Sequence, residues 1–122
     1  MGACIRSAYN LEQVKTVSDM EFIITSDLEF YKEMLNSAKK DKLEIDEVKK
    51  QNKIEFLQEV IDEFEKLIKV VINYRKKDEE SLTKINNIKK EYQISLYAID
   101  KINRDEFCLH IEQIHKYLRG EM

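Results

Sequence analysis

The chain contains no proline, and its two glycines, Gly2 and Gly120, stand at its ends. The interior therefore lacks both of the residues that most readily interrupt a helix. It also lacks the glycine-rich turns that cradle phosphate groups or form oxyanion nests. Tryptophan is absent. Cys4 and Cys108 are the two cysteines, too few for a disulfide framework in a chain of 122 residues that can form its own core. No run of eighteen apolar residues occurs anywhere, so a membrane-spanning helix is not expected. Met1 to Arg6 carries no apolar stretch of signal-peptide length, and Arg6 replaces the Ser or Thr of a myristoylation signal at Gly2. Cytoplasmic placement is the resulting expectation.

An excess of one charge is missing too. There are 21 basic and 24 acidic side chains. Residues 1–42, 43–77 and 78–122 carry 6 against 7, 8 against 8 and 7 against 9, so no segment forms an acidic or basic tail. A dedicated nucleic-acid binder usually shows a basic surplus, because phosphate contacts carry much of its affinity.

Periodic apolar residues fill the space these absences leave. Val14, Val17, Met20, Ile24, Leu28, Tyr31 and Leu35 recur at steps of three and four, which predicts a first helix over about 7–38. Ser18 with Glu21, and Ser26 with Glu29, fit the capping-box pattern, and the helix could restart at either serine. Glu21 to Thr25 could alternatively form a short strand, although the chain supplies it with no partner strands. Asp41, with Glu44 three residues on, reads as the cap of a second helix over about 42–76.

Ile54, Leu57, Ile61, Phe64, Ile68 and Val71 give that helix a heptad stripe. Val60, Leu67 and Phe56 widen the stripe to an arc of about 160°, too broad for one partner, so at least two neighbouring helices are expected. Asp62 with Lys66, and Glu65 with Lys69, are favourable i,i+4 pairs on the remaining side. A third helix over about 79–102 presents Leu82, Ile85, Ile88, Tyr92, Leu96 and Ile99. A fourth over about 105–119, capped by Asn103 with Glu106, presents Phe107, Ile111, Ile114 and Leu118. Whether the last two are one continuous rod stays open. The expected fold is all-α: a single domain over 1–122, an antiparallel three- or four-helix bundle with long helices and coiled-coil-like packing.

Catalytic and metal chemistry find little support in this pattern. Glu112 and His115 make one E-x-x-H on the last helix, whereas a di-metal bundle uses two copies with further inward glutamates. Glu55, Glu59 and Glu63 form a ladder on the side opposite the apolar arc, where solvation explains them. Cys108, His110 and His115 diverge by about 140–160° around a helix and cannot share one metal ion, nor can Cys108 and His110 form a nucleophile and base. The simpler expectation makes Cys108 a partly buried small apolar residue, His110 a flank of the core and His115 a surface residue. No enzyme, cofactor or metal is expected.

The function expected is therefore non-enzymatic protein–protein interaction: an adaptor or small regulatory or inhibitory protein that binds another protein, a second copy of itself, or both. Phe22, Phe30, Phe56 and Tyr74 lie off or at the margins of the main stripes, as do Ile94 and Tyr97 on the third helix, and such positions suit an interface. The alternative is nucleic-acid binding through local basic clusters: Lys39, Lys40 and Lys42; Lys49, Lys50 and Lys53; Arg75, Lys76 and Lys77. Acidic residues interleave or flank each cluster. Membrane insertion is not expected.

Overall fold

The computed structural model of the protein describes residues 11, 14–42, 45–74 and 82–119. Among them the chain forms four helices and no strand: α1 (Val17–Lys40), α2 (Glu47–Tyr74), α3 (Leu82–Asp100) and α4 (Arg104–Arg119). The all-α bundle expected from the periodicity is the observed architecture. Glu21 to Thr25 is helical, within α1.

The helix starts are set by side chains that satisfy the first free N–H groups. At α1 the cap is Thr16, not Ser18 or Ser26. Thr16 Oγ1 accepts from the Asp19 N–H at 3.0 Å, and the Asp19 carboxylate accepts from the Thr16 N–H at 3.2 Å and the Lys15 N–H at 2.9 Å. This is a reciprocal box with Asp in the place of Glu; of the expected span before it, residues 14–16 lie ahead of the helix, and residues 7–10, 12 and 13 lie outside the described set. Asp41 ends α1 instead of starting α2. Asp46 caps α2, its Oδ1 accepting from Val48 N–H at 3.0 Å and Lys49 N–H at 3.1 Å.

The junction of α3 and α4 is a true break. Asn103 N–H donates to Ala98 O and Ile102 N–H to Ile99 O, the paired bonds of a Schellman turn. That turn forces Ile102 to φ 54°, a left-handed conformation disfavoured for a β-branched side chain. Asn103 then starts α4, its Oδ1 accepting from Glu106 N–H at 3.1 Å.

Successive helices pack as two antiparallel hairpins, α1 with α2 and α3 with α4. The hairpins lie side by side. Glu59 meets Arg104, and Glu63 one turn on faces His115 three turns on, so α2 and α4 run in the same sense. Asp27 with Tyr92, and Met34 with Ile99 across a shared cleft, likewise align α1 with α3 at a constant offset.

One continuous core draws on all four helices. Phe64 is its hub, with ring centroids 5.6 Å from Tyr31, 5.9 Å from Tyr92 and 6.2 Å from Phe107. The broad arc on α2 thus meets α1, α3 and α4. Phe56, Val60 and Leu67 are buried, whereas Ile54 and Ile68 of the heptad stripe are only half-buried. The core axis of α2 is therefore rotated toward the Phe56 side.

Among the described residues two polar ones are buried in this apolar interior, Asp27 and Ser95. Ser95 Oγ donates back to Tyr92 O at 2.7 Å, and Tyr92 Oη donates to Asp27 Oδ2. The second bond joins one hairpin to the other.

Candidate functional site

Placing each expected interface residue in the fold separates them sharply. Phe56 is withdrawn into the core at 2% exposure, edge-on to Phe107, so this side chain is not at the surface as its marginal position on the stripe suggested. Phe30 is half-buried, with its ring edge-on to Tyr31 at 5.1 Å. Tyr74 closes α2, and its side chain lies outside the described set. Phe22 is 60% exposed, Tyr97 is 54% exposed, and Ile94 is half-buried.

Tyr97 and Ile94 belong to a strip along α3 that differs from the charged outer surface of α2. On a 100° wheel centred on Tyr97, Asn86, Lys90, Gln93, Ile94 and Asp100 all fall within about 60° of it, facing away from the buried Ile88, Tyr92 and Ile99. Between Lys90 and Asp100 the strip is uncharged. Two other charged residues of α3 turn toward neighbours: Lys89 Nζ donates to Val14 O at 3.2 Å, and the Glu91 carboxylate lies 2.8 Å from His110 Nδ1. Gln93 Nε2 reaches Tyr97 Oη at 3.5 Å along the strip. On α2, by contrast, the exposed positions include Glu47, Lys49, Lys53, Glu55, Asp62, Glu65, Lys66 and Lys69. Tyrosine and amides with few charges are the composition of protein-binding surfaces rather than of solvated helix faces.

A second feature lies at the end of the bundle where α1 and α3 finish. A cleft of about 190 Å³ is lined by Met34, Lys53, Phe56, Leu57, Ile99, Asp100 and Ile102. Near it the start of α2 leaves Ile45 at 92% and Val48 at 69% exposure, which the apolar stripe did not reveal because both precede it. The same end gathers Lys39, Lys40, Lys42, Lys49, Lys50 and Lys53 around the α1–α2 connection. Asp41, Asp46 and Glu47 stand among them, and Lys50 Nζ donates to Asp41 O at 2.9 Å. Arg75, Lys76 and Lys77 lie outside the described residues.

The seam between α2 and α4 corrects three further expectations. Glu59 and Glu63 do not lie on an open face but are half-buried against α4. Arg104 Nε donates to Glu59 Oε2 at 2.9 Å, and its guanidinium sits 5.9 Å over the Phe56 ring. Cys108 is exposed rather than partly buried, and its Sγ donates to Glu59 Oε1 at 3.3 Å. Desolvation, then the bond to Glu59, then the negative charges of Glu59 and Glu63, push this thiol up to about 11. His115, expected as a surface residue, is half-buried, and that burial holds its imidazole below its ordinary value against the opposing charge of Glu63.

Cys108 thus points to α2, His110 to α3 and Glu112 to its own helix neighbour Lys116 at 3.9 Å. Among the described residues no three of His, Cys, Asp and Glu stand together as a metal-ligand set. No described helix is long and apolar enough to cross a membrane.

Comparison of the chain with protein-family models, with curated proteins and with solved structures gave a uniform result. None matched.

Proposed function

We propose that the protein is a non-enzymatic interaction module, an adaptor or small regulatory protein acting in the cytoplasm, and that it binds protein through the outward strip of α3. The observation that carries this reading is the uncharged segment between Lys90 and Asp100, with Tyr97 exposed at 54%, in a chain that is 37% charged. A helix face that only meets water has no reason to exclude charge over nearly three turns. Tyr97 offers a rigid amphipathic ring, Gln93 and Asn86 offer amides, and Ile94 offers partly covered apolar surface.

A photo-crosslinking amino acid placed at Tyr97 tests this in native lysate, with the same group at exposed Gln58 on α2 as control. A protein adduct at position 97 and none at 58 is expected. Equal labelling at both positions, or none at 97, would refute the assignment.

A second reading, nucleic-acid binding, is supported by the convergence of Lys39, Lys40, Lys42, Lys49, Lys50 and Lys53 on one end of the bundle. The interleaved Asp41, Asp46 and Glu47 weaken it, since each offsets a phosphate contact. Fluorescence anisotropy with labelled duplex DNA is expected to show no binding at about 0.15 M salt. Tight, salt-sensitive binding lost on Lys49→Glu and Lys53→Glu substitution would favour this reading over the first.

A further inference from the structure

The turn after α3 holds an isoleucine where glycine is the usual residue. Ile102 stands at φ 54°, disfavoured for a β-branched side chain, and the turn itself has no use for that side chain. Its two bonds are made by backbone groups, and the apolar contact that accompanies such turns comes from the residue that follows. Burial does not account for it either, since Ile102 is 52% exposed. What the side chain does is line the cleft at this end of the bundle, with Met34, Phe56, Leu57 and Ile99. Backbone strain held in place by its surroundings clusters at ligand-binding positions.

The cleft itself limits what it can take. Its volume of about 190 Å³ is somewhat above the roughly 150 Å³ of an apolar cavity that accepts benzene. Five apolar side chains therefore surround space for about one ring or a short hydrocarbon chain. Its two charged lining residues are Lys53 and Asp100. Asp100 is already engaged within the chain, whereas Lys53 is exposed and makes no hydrogen bond or ion pair among the described residues. The charge left for a ligand is a single cation.

We infer that the cleft binds a small apolar monocarboxylate of about the bulk of one phenyl ring, its hydrocarbon against Ile102 and Phe56 and its carboxylate on the Lys53 ammonium. This goes beyond the assignment of α3 as a protein-binding face and does not depend on it. A neutral hydrocarbon would leave Lys53 unused, and an apolar cation would meet it with like charge. A dicarboxylate would bring its second anion up to Asp100, and a long-chain acid would overfill the volume.

Titration of phenylacetate into the ¹⁵N-labelled chain, followed by amide spectra, is expected to give saturable shifts at Leu57, Ile99 and Ile102 with a Kd on the order of 1 mM. Phenylacetamide, which has the same shape without the charge, should bind about fivefold more weakly, and Lys53→Gln should erase that difference. Ile102→Gly is the sharper variant. It should raise the thermal midpoint by relieving the left-handed isoleucine, yet weaken phenylacetate by about tenfold, which separates loss of the site from loss of the fold. Three results would overturn the inference: no saturable shift up to about 20 mM phenylacetate, equal affinity for the acid and the amide, or unchanged binding in Ile102→Gly. Binding that weakens as the protein concentration rises would seat a second copy of the chain in the cleft and overturn it as well.

Discussion

Substituting Tyr92→Phe removes one oxygen from the centre of the bundle and isolates the bond that ties the two hairpins together. Tyr92 is fully buried and Asp27 is 1% exposed, so water cannot replace the lost donor without entering the core. A hydrogen bond to a charged group contributes about 1.5–3 kcal/mol, and one between neutral groups about 0.5–1.5 kcal/mol. A loss of about 2 kcal/mol is therefore expected, because the Asp27 carboxylate stays buried with one donor fewer while the ring keeps its packing against Phe64. For a chain of this length that corresponds to a fall in Tm of about 8 °C. Urea unfolding followed by helical circular dichroism should show a lower midpoint at an unchanged slope.

The companion variant sharpens the test. Replacing both partners, Asp27→Leu with Tyr92→Phe, removes the buried polar groups together and should recover most or all of the lost stability. If Tyr92→Phe lies within about 0.5 kcal/mol of wild type, the Asp27–Tyr92 bond does not join the hairpins energetically. If the double variant loses as much as the sum of the two single ones, the cost attributed to the buried carboxylate is wrong.

Other positions give independent expectations. Ile102→Gly should stabilise by about 1 kcal/mol in thermal unfolding, since it relieves a β-branched residue at φ 54° while keeping the Schellman bonds. In a Cys4→Ser background, alkylation of Cys108 by iodoacetamide at pH 8 should run about 100-fold slower than for a thiol at the ordinary 9.0, and Glu59→Gln should speed it. Because burial lowers the folded value of His115, the unfolded chain takes up its proton first. The stability this group confers is thus complete above pH 6.5 and is lost as pH falls below it toward the folded value, and His115→Gln should flatten that part of a stability–pH profile. Phe64→Ala, which removes the hub of three ring contacts, should cost about 3–5 kcal/mol or prevent folding, as read by urea titration.

What could be read in advance follows from the range of the interactions involved. The apolar faces of α1 and α4 were legible because a 3.6-residue period is a local property, and every residue named on those faces for the described segments is buried. Helix starts were less so. Asp41 and Asp46 are equally good caps in sequence, and only the path of the connection makes the first an ending and the second a beginning. The break after α3 was obscured because its left-handed residue is Ile102, where glycine is the usual signal.

Contacts between hairpins were not legible at all. Nothing near Asp27 points to Tyr92, 65 positions away, and nothing near Glu59 points to Arg104 or Cys108. Phe56 was misplaced because a wheel gives an angle without saying which neighbour will cover it, and α4 covers that side. On α3 the same method set Ile94 and Tyr97 apart from the core face, where Tyr97 is exposed and Ile94 half-buried. The charge pattern from Lys90 to Asp100 gained meaning only once Lys89 and Glu91 were seen to turn toward α1 and α4.

The most direct test of self-association through α3 is a dilution series of amide ¹H–¹⁵N spectra of the unmodified chain, from about 10 µM to about 1 mM, the range of weak association. The account predicts concentration-dependent shifts concentrated between Lys90 and Asp100 on α3, with α2 from Gln58 to Lys69 unmoved. Shifts centred instead on the connection between Lys39 and Lys53, or spectra that do not change with concentration, would contradict it.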